Sequence, residues 1–245
     1  NNEDPLIKQM GNSVPSPIKV SYYGEGSPLE YRTGGTLEYP TGGIFNFDQL
    51  IVGEDQLPFK SPHFIQNTLA AVQAALTLNI SPEVIARGIS SYQPLERRFS
   101  ILSESPLIID DFAHNPDGIK ATIKSSTQLT PGKIYVVVAI RGSRGDVINE
   151  ANAEAVAQSL KGVNHQLILT NSVEVVNEAN RVKPSEKRVF TDMMDEHGLK
   201  YLFFQKLSPA LKFALESSQK EDTILLIGAQ GMDPARELLK EYELI

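Results

Sequence analysis

The sequence contains no cysteine, which excludes disulfides, thiolate metal sites and a cysteine nucleophile. It also lacks an apolar run of about 18 residues, so we expect no membrane-spanning helix and no membrane partner. The polar start, Asn1-Asn2-Glu3-Asp4-Pro5, has neither the basic nor the apolar stretch of a secretion signal. Together these absences predict a cytoplasmic protein.

Positive charge and histidine are also scarce. Because the net charge is −7 and nucleic-acid binding needs a local excess of lysine and arginine, we expect no nucleic-acid partner. None of the four histidines stands in a zinc-binding spacing, which argues against a metal site built by this chain alone. No predicted strand is followed by G-x-G-x-x-G or by the G-x-x-x-x-G-K-[ST] phosphate loop. A dinucleotide-binding dehydrogenase is therefore disfavoured.

The first part of the chain predicts a small sheet followed by two helices. Short alternating apolar segments, punctuated by glycine pairs, predict antiparallel strands and hairpins. These segments are residues 18–23, 37–39, 44–47 and 50–52. Apolar residues at helical spacing then predict one helix over 64–78 and a second over 82–90, with Pro82 at its first position.

From residue 98 onward, continuous apolar strands alternate with amphipathic helices. Strands are predicted at 107–111, 134–140, 166–169, 202–204 and 223–227. Helices are predicted at 116–126, 150–160, 209–217 and 234–242, with the end of a short helix at 195–199. This alternation predicts a Rossmann-like, doubly wound α/β domain whose mostly parallel sheet binds ligands beyond its carboxyl ends. We place the boundary between domains 1–96 and 97–245.

Polar or flexible segments follow three of these strands. Residues 111–115 face a ligand or, alternatively, Asp111 and Asn115 only cap the helix that begins at Pro116. Residues 141–146, with two arginines and two glycines, form an anion-binding loop or a solvated one. Residues 228–231 let the backbone approach a ligand closely or only make a tight turn.

Several of these segments resemble motifs of the Mur ligase superfamily. Residues 111–116 are similar to its D-Y-A-H-N-P motif, with Phe112 for tyrosine, and residues 96–99 resemble its G-R-F/M-E junction, with Arg97 at the glycine. Residues 63–71 resemble H-N-x-x-N-A-x-A-A, with Phe64 for the first asparagine. The remaining similarities are residues 1–5 to N-x-D-D-P, 141–146 to a G-G-x-R-D loop and 228–231 to a G-K-G loop.

The resemblance implies both a fold and an activity. Residues 1–96 would be the β-hairpin and helical end of a P-loop-type ATPase domain, and residues 97–245 the C-terminal domain. The enzyme would use ATP and Mg²⁺ to convert a carboxylate to an acyl phosphate, which an amine attacks to form an amide with release of ADP and phosphate. The phosphate loop and magnesium ligands would lie in a preceding N-terminal part of the same enzyme, so this chain alone would neither bind ATP tightly nor catalyse ligation.

The resemblance also implies roles for individual residues, which fall into three groups: nucleotide contacts, catalysis beside the incoming amine, and binding of a substrate carboxylate. They are, respectively, Asn67, Arg98 and Asp111; His114 and Asn115; and Arg141, Ser143 and Arg144. Asn67 would contact the adenine and Asp111 the ribose. The C-terminal domain would close on the ATPase domain about Glu96 and Arg97.

The subgroup within the superfamily is open. Residues 110–119 and 140–145 resemble the cyanophycin synthetases and the Mur-like ligase that makes the nickel-tetrapyrrole coenzyme of methanogens, which would imply coenzyme biosynthesis. A cell-wall muramyl-peptide ligase is an alternative, although residues 171–174 replace the D-N-P-R segment of members that accept diaminopimelate. A non-catalytic binding or regulatory module with the same fold is a further alternative, which the state of the upstream phosphate loop would separate from an enzyme.

Overall fold

The computed structural model describes residues 1–34, 42–58, 62–93 and 95–241, with the side chains of residues 62 and 63 left out. The chain forms two compact units, Asn1–Gln93 and Pro94–Ile245. The sequence-based boundary after Glu96 lies three residues beyond this division.

The first unit is a small antiparallel sheet with helices. Its strands are β1 (Leu29–Arg32), β2 (Gly43–Asn46) and β3 (Gln49–Gly53), paired in that order, and its helices are α1 (Pro5–Asn12), α2 (Pro62–Thr77) and α3 (Pro82–Ser90). The core joins the sheet to α2 and α3 through buried residues that include Leu29, Ile44, Val52, Leu69 and Ile85. The hairpin predicted from residues 44–47 and 50–52 and the two predicted helices are therefore confirmed, whereas β1 was not predicted.

Other parts of the first unit differ from the sequence-based description or lie outside the described residues. Residues 18–22 are not a strand, and Ile18 is 63% exposed, because their alternating apolar residues have no sheet to pack on. Helix α1 was not predicted; it begins after Asp4, whose carboxylate accepts hydrogen bonds from Leu6 and Ile7 N–H and caps it. The predicted strand at 37–39 lies outside the described residues.

The second unit is a six-stranded sheet covered by helices. The strands are β4 (Ser100–Glu104), β5 (Leu107–Asp111), β6 (Ile134–Ala139), β7 (His165–Thr170), β8 (Tyr201–Phe204) and β9 (Thr223–Ile227), and the helices are α4 (Pro116–Leu129), α5 (Asp146–Leu160), α6 (Pro184–Glu196), α7 (Leu207–Ser217) and α8 (Ala235–Glu241). The strand order is β4-β5-β9-β6-β7-β8, and every pair is parallel except β4 with β5. The predicted mostly parallel α/β fold is confirmed.

Strands that are apolar on both faces produce two cores. Val136 packs on the side of α4, α5 and α6, whereas the next residue, Val137, packs on the side of α7 and α8. Both valines are fully buried, and burial of each such side chain contributes about 1.5–3 kcal/mol to folding.

The sequence pattern missed most of α6, because among its thirteen residues only Glu186, Phe190 and Met194 are buried. It also missed the edge strand β4, none of whose residues is fully buried.

The position of β9 determines which loops meet. β9 is the last strand in the chain, yet it lies between β5 and β6, so that Ile227 pairs with both Asp111 and Val138. The carboxyl ends of three parallel strands are consequently adjacent at one edge. Open α/β sheets bind ligands at such an edge, where neighbouring strands lead to connections on opposite faces.

Candidate functional site

The loops that follow β5 and β6 are joined through one backbone carbonyl. The His114 oxygen accepts hydrogen bonds from Asn152 Nδ2 on α5, at 3.1 Å, and from the Arg141 guanidinium, at 3.5 Å. The structure therefore brings together His114 and Arg141, which sequence reasoning took from separate segments. Asn152 was not foreseen, because an amide inside a helix carries no local sign of what it faces.

Asp111 orders the backbone at the end of β5. Its carboxylate accepts hydrogen bonds from the N–H groups of Phe99, at 2.8 Å, and Ala113, at 2.7 Å, and the residue is only 6% exposed. These bonds connect the segment before β4 to the turn after β5. Asp111 does not cap α4, so the simple capping alternative fails for this residue.

Arg98 and Asp111 lie in the same neighbourhood. The Arg98 guanidinium is 5.2 Å from the ring centroid of Phe112, the residue after Asp111, and Arg98 itself is exposed. A cation over an aromatic face is attracted electrostatically, which favours this orientation of the side chain. Two of the three residues predicted to hold a nucleotide therefore lie near each other in the second unit.

Arg97, which the sequence marked only as a departure from glycine, forms the largest set of polar contacts in this region. Its Nε lies 3.2 Å from both carboxylate oxygens of Asp110, and its other nitrogens donate to the carbonyls of Gly228 and Ala229 and to the carboxylate of Asp233. Its φ of +58° lies in the left-handed region, which costs a non-glycine residue about 1–2 kcal/mol. Burial raises the pKa of Asp110 to about 6, although the guanidinium of Arg97 lowers it in part.

His114 and Asn115 differ in how many of their side-chain hydrogen-bonding atoms already have partners within the protein. Asn115 Oδ1 accepts from the N–H of Gly118 at 2.8 Å and caps α4, as the simpler alternative predicts. His114 Nδ1 lies 3.0 Å from the Phe112 carbonyl oxygen, so this nitrogen carries the proton and Nε2 is the hydrogen-bond acceptor in the neutral ring. Of these two residues, His114 has the side chain better able to accept a hydrogen bond from a ligand.

The arginine-rich loop after β6 already holds an anion that belongs to the protein. The N–H groups of Ser143, Arg144 and Gly145 donate to the Glu186 carboxylate over 2.9, 2.8 and 2.7 Å, and Lys183 N–H donates over 2.8 Å. Burial by itself raises the pKa of Glu186, but these four donors outweigh it and leave that pKa below its ordinary value. The loop is anion-binding, as the pattern predicts, but its backbone donors are taken.

The side chains of this loop differ in how many hydrogen bonds they make to the rest of the protein. Ser143 Oγ donates to the Arg181 carbonyl at 3.0 Å, and the Arg144 guanidinium donates to the Ser143 carbonyl and to Asn180 Oδ1, each at 3.1 Å. Arg141 Nε, in contrast, is buried and has no hydrogen-bond partner among the described residues. Burial, and secondly the nearby charge of Arg144, lower the pKa of Arg141.

A small cavity lies where the three loops meet. Its volume is about 10 Å³, and its polar lining includes His114, Arg141 and Asn152 beside the backbone of Gly228. Asn152 is 3% exposed, and its Oδ1 also lacks a partner within the described part of the chain. The space suits about one water-sized group, and two of its lining residues, Arg141 and Asn152, each carry a buried polar atom that has no partner among the described residues.

Asn67 belongs to the first unit, where it lies exposed on α2. A pocket of about 390 Å³ involves the two adjacent helix residues Ile65 and Gln66, together with Glu3 and Tyr31. Gln66 Nε2 donates to Glu3 at 2.6 Å, whereas its buried Oε1 has no partner in the described ranges. His63, from the same predicted motif, has its side chain outside the described residues.

Neither a metal cluster nor a membrane-spanning helix occurs among the described residues. No group of three or more histidine or acidic side chains there is arranged to hold a metal ion. No helix there combines the length and the apolar character needed to cross a bilayer.

The sequence of the chain is similar to a known family and to characterised ligases. The family described as Mur ligase, glutamate ligase domain matches residues 97–230. The chain is 34% identical, over 49% of its length, to a UDP-N-acetylmuramate–L-alanine ligase of Sinorhizobium medicae, of which it covers 27%. It is 25% identical, over 98% of its length, to a ligase of the same name from Desulforamulus reducens, of which it covers 52%. The chain thus spans about half the length of this second relative, and less of the first.

Solved structures share the fold at low sequence identity. The pseudomurein peptide ligase type C of Methanothermus fervidus superposes with a TM-score of 0.63 at 19% identity, covering 88% of this chain and 42% of that one. MurC of Thermotoga maritima gives 0.61 at 17% identity, covering 90% and 47%. FolC of E. coli in complex with ADP gives 0.61 at 20% identity, covering 89% and 47%.

Proposed function

Since more than half of the chain matches the family described as Mur ligase, glutamate ligase domain, the chain belongs to that family, and from this premise we propose that it is part of an ATP-dependent ligase that joins a carboxylate to an amine. The carboxylate would be phosphorylated by ATP, and the amine would displace phosphate from the acyl phosphate to form the amide. The observation that carries the proposal is the junction of the loops after β5, β6 and β9 around a cavity whose lining residues Arg141 and Asn152 each have a buried polar atom without a partner in the described part of the chain.

The amine side of the reaction is assigned to the His114–Arg141 junction. Because Nδ1 of His114 is engaged by the Phe112 carbonyl, Nε2 is the ring nitrogen that would accept from an amine N–H, which is the contact that orients a nucleophile and takes up its proton. Arg141 supplies the cation for the carboxylate of an amino-acid substrate, and its buried Nε has no partner among the described residues. Ser143 and Arg144 would act mainly by shaping this loop, since their polar groups already have protein partners.

The nucleotide side is assigned to Asn67, Arg98 and Asp111. Arg98 presents an exposed guanidinium suited to an anionic nucleotide, and the Asp111 carboxylate stands beside it at the end of β5. Asn67 is exposed on α2 and does not itself line the pocket of Ile65, Gln66 and Leu69, so its proposed contact with the adenine rests on the motif resemblance. Magnesium and the phosphates would be held mainly by another part of the enzyme.

A preceding part of the same polypeptide is the proposed partner. The chain covers 52% of the Desulforamulus relative while matching 98% of itself. The apolar side chains Leu6, Ile7 and Met10 of α1 are 70%, 43% and 65% exposed, and such a face normally packs on further protein. We accordingly expect the chain alone to lack ligase activity and tight ATP binding.

We propose the amine substrate first and the acid substrate second. An amino acid is the proposed amine, which L-alanine in the names of the curated relatives supports. UDP-N-acetylmuramate is the acid that those same names support, whereas a nickel-tetrapyrrole or cyanophycin-type acid rests on the resemblance of residues 110–119 and 140–145. Each of these acids would bind at the carboxyl ends of the parallel strands.

The test is phosphate release by the complete enzyme. With MgATP, the matching acid and the matching amino acid, release should require both substrates, and hydroxylamine should trap the acyl phosphate when the amine is left out. Nucleotide binding without phosphate release for any acid and amine pair would favour the non-catalytic module instead. Micromolar MgATP binding by the 245-residue chain alone would contradict the division of labour proposed here.

A further inference from the structure

The loop after β6 has the backbone geometry of an anion-binding nest. Ser143 has a φ of +56° and Gly145 a φ of +90°, and these left-handed residues turn three successive N–H groups toward one point. Nests of this kind ordinarily bind a phosphate or a carboxylate. Here the point is occupied by Glu186, which comes from the first turn of α6 and is fully buried.

The carboxylate of Glu186 is fully engaged by this nest. Oε1 accepts from Arg144 and Gly145, while Oε2 accepts from Ser143 and from Lys183. Because a buried carboxylate with four donors is strongly stabilised as an anion, an external anion does not displace it easily. The backbone of the loop is therefore closed to a substrate.

The opposite side of the loop is held by an amide. Asn149, also fully buried, donates from Nδ2 to the carbonyl of Arg141 at 2.9 Å and to that of Gly145 at 3.2 Å. The loop is thus held from α5 through its carbonyls and from α6 through its N–H groups. What this arrangement leaves toward the cavity is the Arg141 side chain.

We propose that Glu186 is a positioning residue of the ligation site, a built-in anion that holds residues 141–145 in one conformation. It thereby directs an incoming substrate carboxylate to the Arg141 guanidinium and not to the backbone N–H groups. The inference rests on the proposed function for its substrate, but the occupied nest can be tested without any substrate. The selected ligand is a carboxylate that a guanidinium can pair with side by side.

The first experiment uses formate as the probe of the nest. In the full chain, the amide signals of Ser143, Arg144 and Gly145 should not respond to formate. In Glu186→Ala they should shift with formate, which should bind at least about tenfold more tightly than to the unsubstituted chain. Glu186→Gln keeps the side-chain volume and shows whether loss of charge alone loosens the loop, and Glu196→Gln, an exposed residue on the same helix, is the matched control. Equal formate response in Glu186→Ala and the unsubstituted chain, with unchanged amide signals in Glu186→Gln, would overturn the proposal.

The second experiment uses L-glutamate and L-alanine as probes of the site. Glu186→Gln should weaken binding of whichever of the two amino acids binds the unsubstituted chain at least about tenfold, whereas Glu196→Gln should leave that affinity unchanged. In Glu186→Ala, addition of formate should restore the affinity for the amino acid. Undiminished amino-acid binding by Glu186→Gln would overturn the positioning role and leave the proposed ligase intact. If neither amino acid binds the unsubstituted chain, the proposed amine fails, and the formate experiment still decides whether Glu186 positions the loop.

Discussion

Arg97 Nε lies 3.2 Å from each carboxylate oxygen of Asp110, whose side chain is 2% exposed. The same guanidinium contacts the carbonyls of Gly228 and Ala229 and the carboxylate of Asp233. One side chain therefore joins the start of the second unit to β5 and to the loop after β9. These contacts offset the energetic cost of the left-handed backbone at Arg97, a position where the Mur ligase motif usually has glycine.

Replacing Arg97 by alanine and by glycine should separate the contributions of its side chain and its backbone conformation to the free energy of unfolding. Arg97→Ala should lower the free energy of unfolding by about 3–5 kcal/mol, because it leaves Asp110 buried without its cation. Arg97→Gly should be less damaging by about 1 kcal/mol, because glycine tolerates the φ of +58°. Urea unfolding measures both, with Arg236→Ala as the control for an exposed ion pair. A larger loss for glycine than for alanine would contradict this description.

Asp110 should make stability depend on pH in an unusual direction. Its pKa is raised from 3.8 to about 6 in the folded protein, so the folded state binds the proton more tightly than the unfolded state. The contribution of this group to stability is therefore fully present below the unfolded pKa, declines as pH rises through the interval and is lost above about 6. Asp110→Asn should remove a decline on the order of 2–3 kcal/mol between about pH 4 and pH 7. Urea unfolding at both pH values compares the variant with the unsubstituted chain, and an identical pH dependence would refute the assignment.

Arg141 and Arg144 should differ in their effect on ligand binding. Arg141→Ala should weaken the binding of a carboxylate amino acid by at least about tenfold, because its Nε has no partner in the described part of the chain. Arg144→Ala should weaken it less, since both ends of that guanidinium are bonded within the protein. Calorimetric titration with L-glutamate compares them, with the exposed Arg188→Ala as the matched control. The reverse order would place the substrate contact at Arg144.

Gly142 should tolerate no side chain. A Cβ there would lie 2.2 Å from the Asn180 carbonyl oxygen and 2.4 Å from the Arg181 carbonyl carbon, both backbone atoms. Gly142→Ala should therefore destabilise the chain by about 2 kcal/mol or more and broaden the loop amide signals. Gly88→Ala, in α3 with nothing within 4 Å, should instead stabilise by about 0.5–1 kcal/mol. Thermal unfolding of the two variants should shift in opposite directions.

Local sequence patterns predicted most of the second unit because its strands are short apolar runs bounded by polar turns. The runs at 107–111 and 223–227 coincide with β5 and β9, and the Asn115-Pro116 pair marks the start of α4. Patterns failed for β4 and most of α6, where few side chains are buried and the apolar signal is correspondingly weak. The roles proposed for Asn67, Arg98, Asp111, His114, Asn115, Arg141, Ser143 and Arg144 remain predictions.

The sequence alone determined the alternation of elements, the apolar faces and the polar residues at strand ends, because burial and capping act between residues close along the chain. Only the tertiary structure decided that β9 lies between β5 and β6, that Arg97 reaches Asp110 and Asp233, and that Glu186 occupies the loop 41 to 43 residues before it. Those contacts depend on how distant backbones approach each other, and hydrogen bonds form only where donor and acceptor meet within about 3 Å. No local pattern specifies that approach.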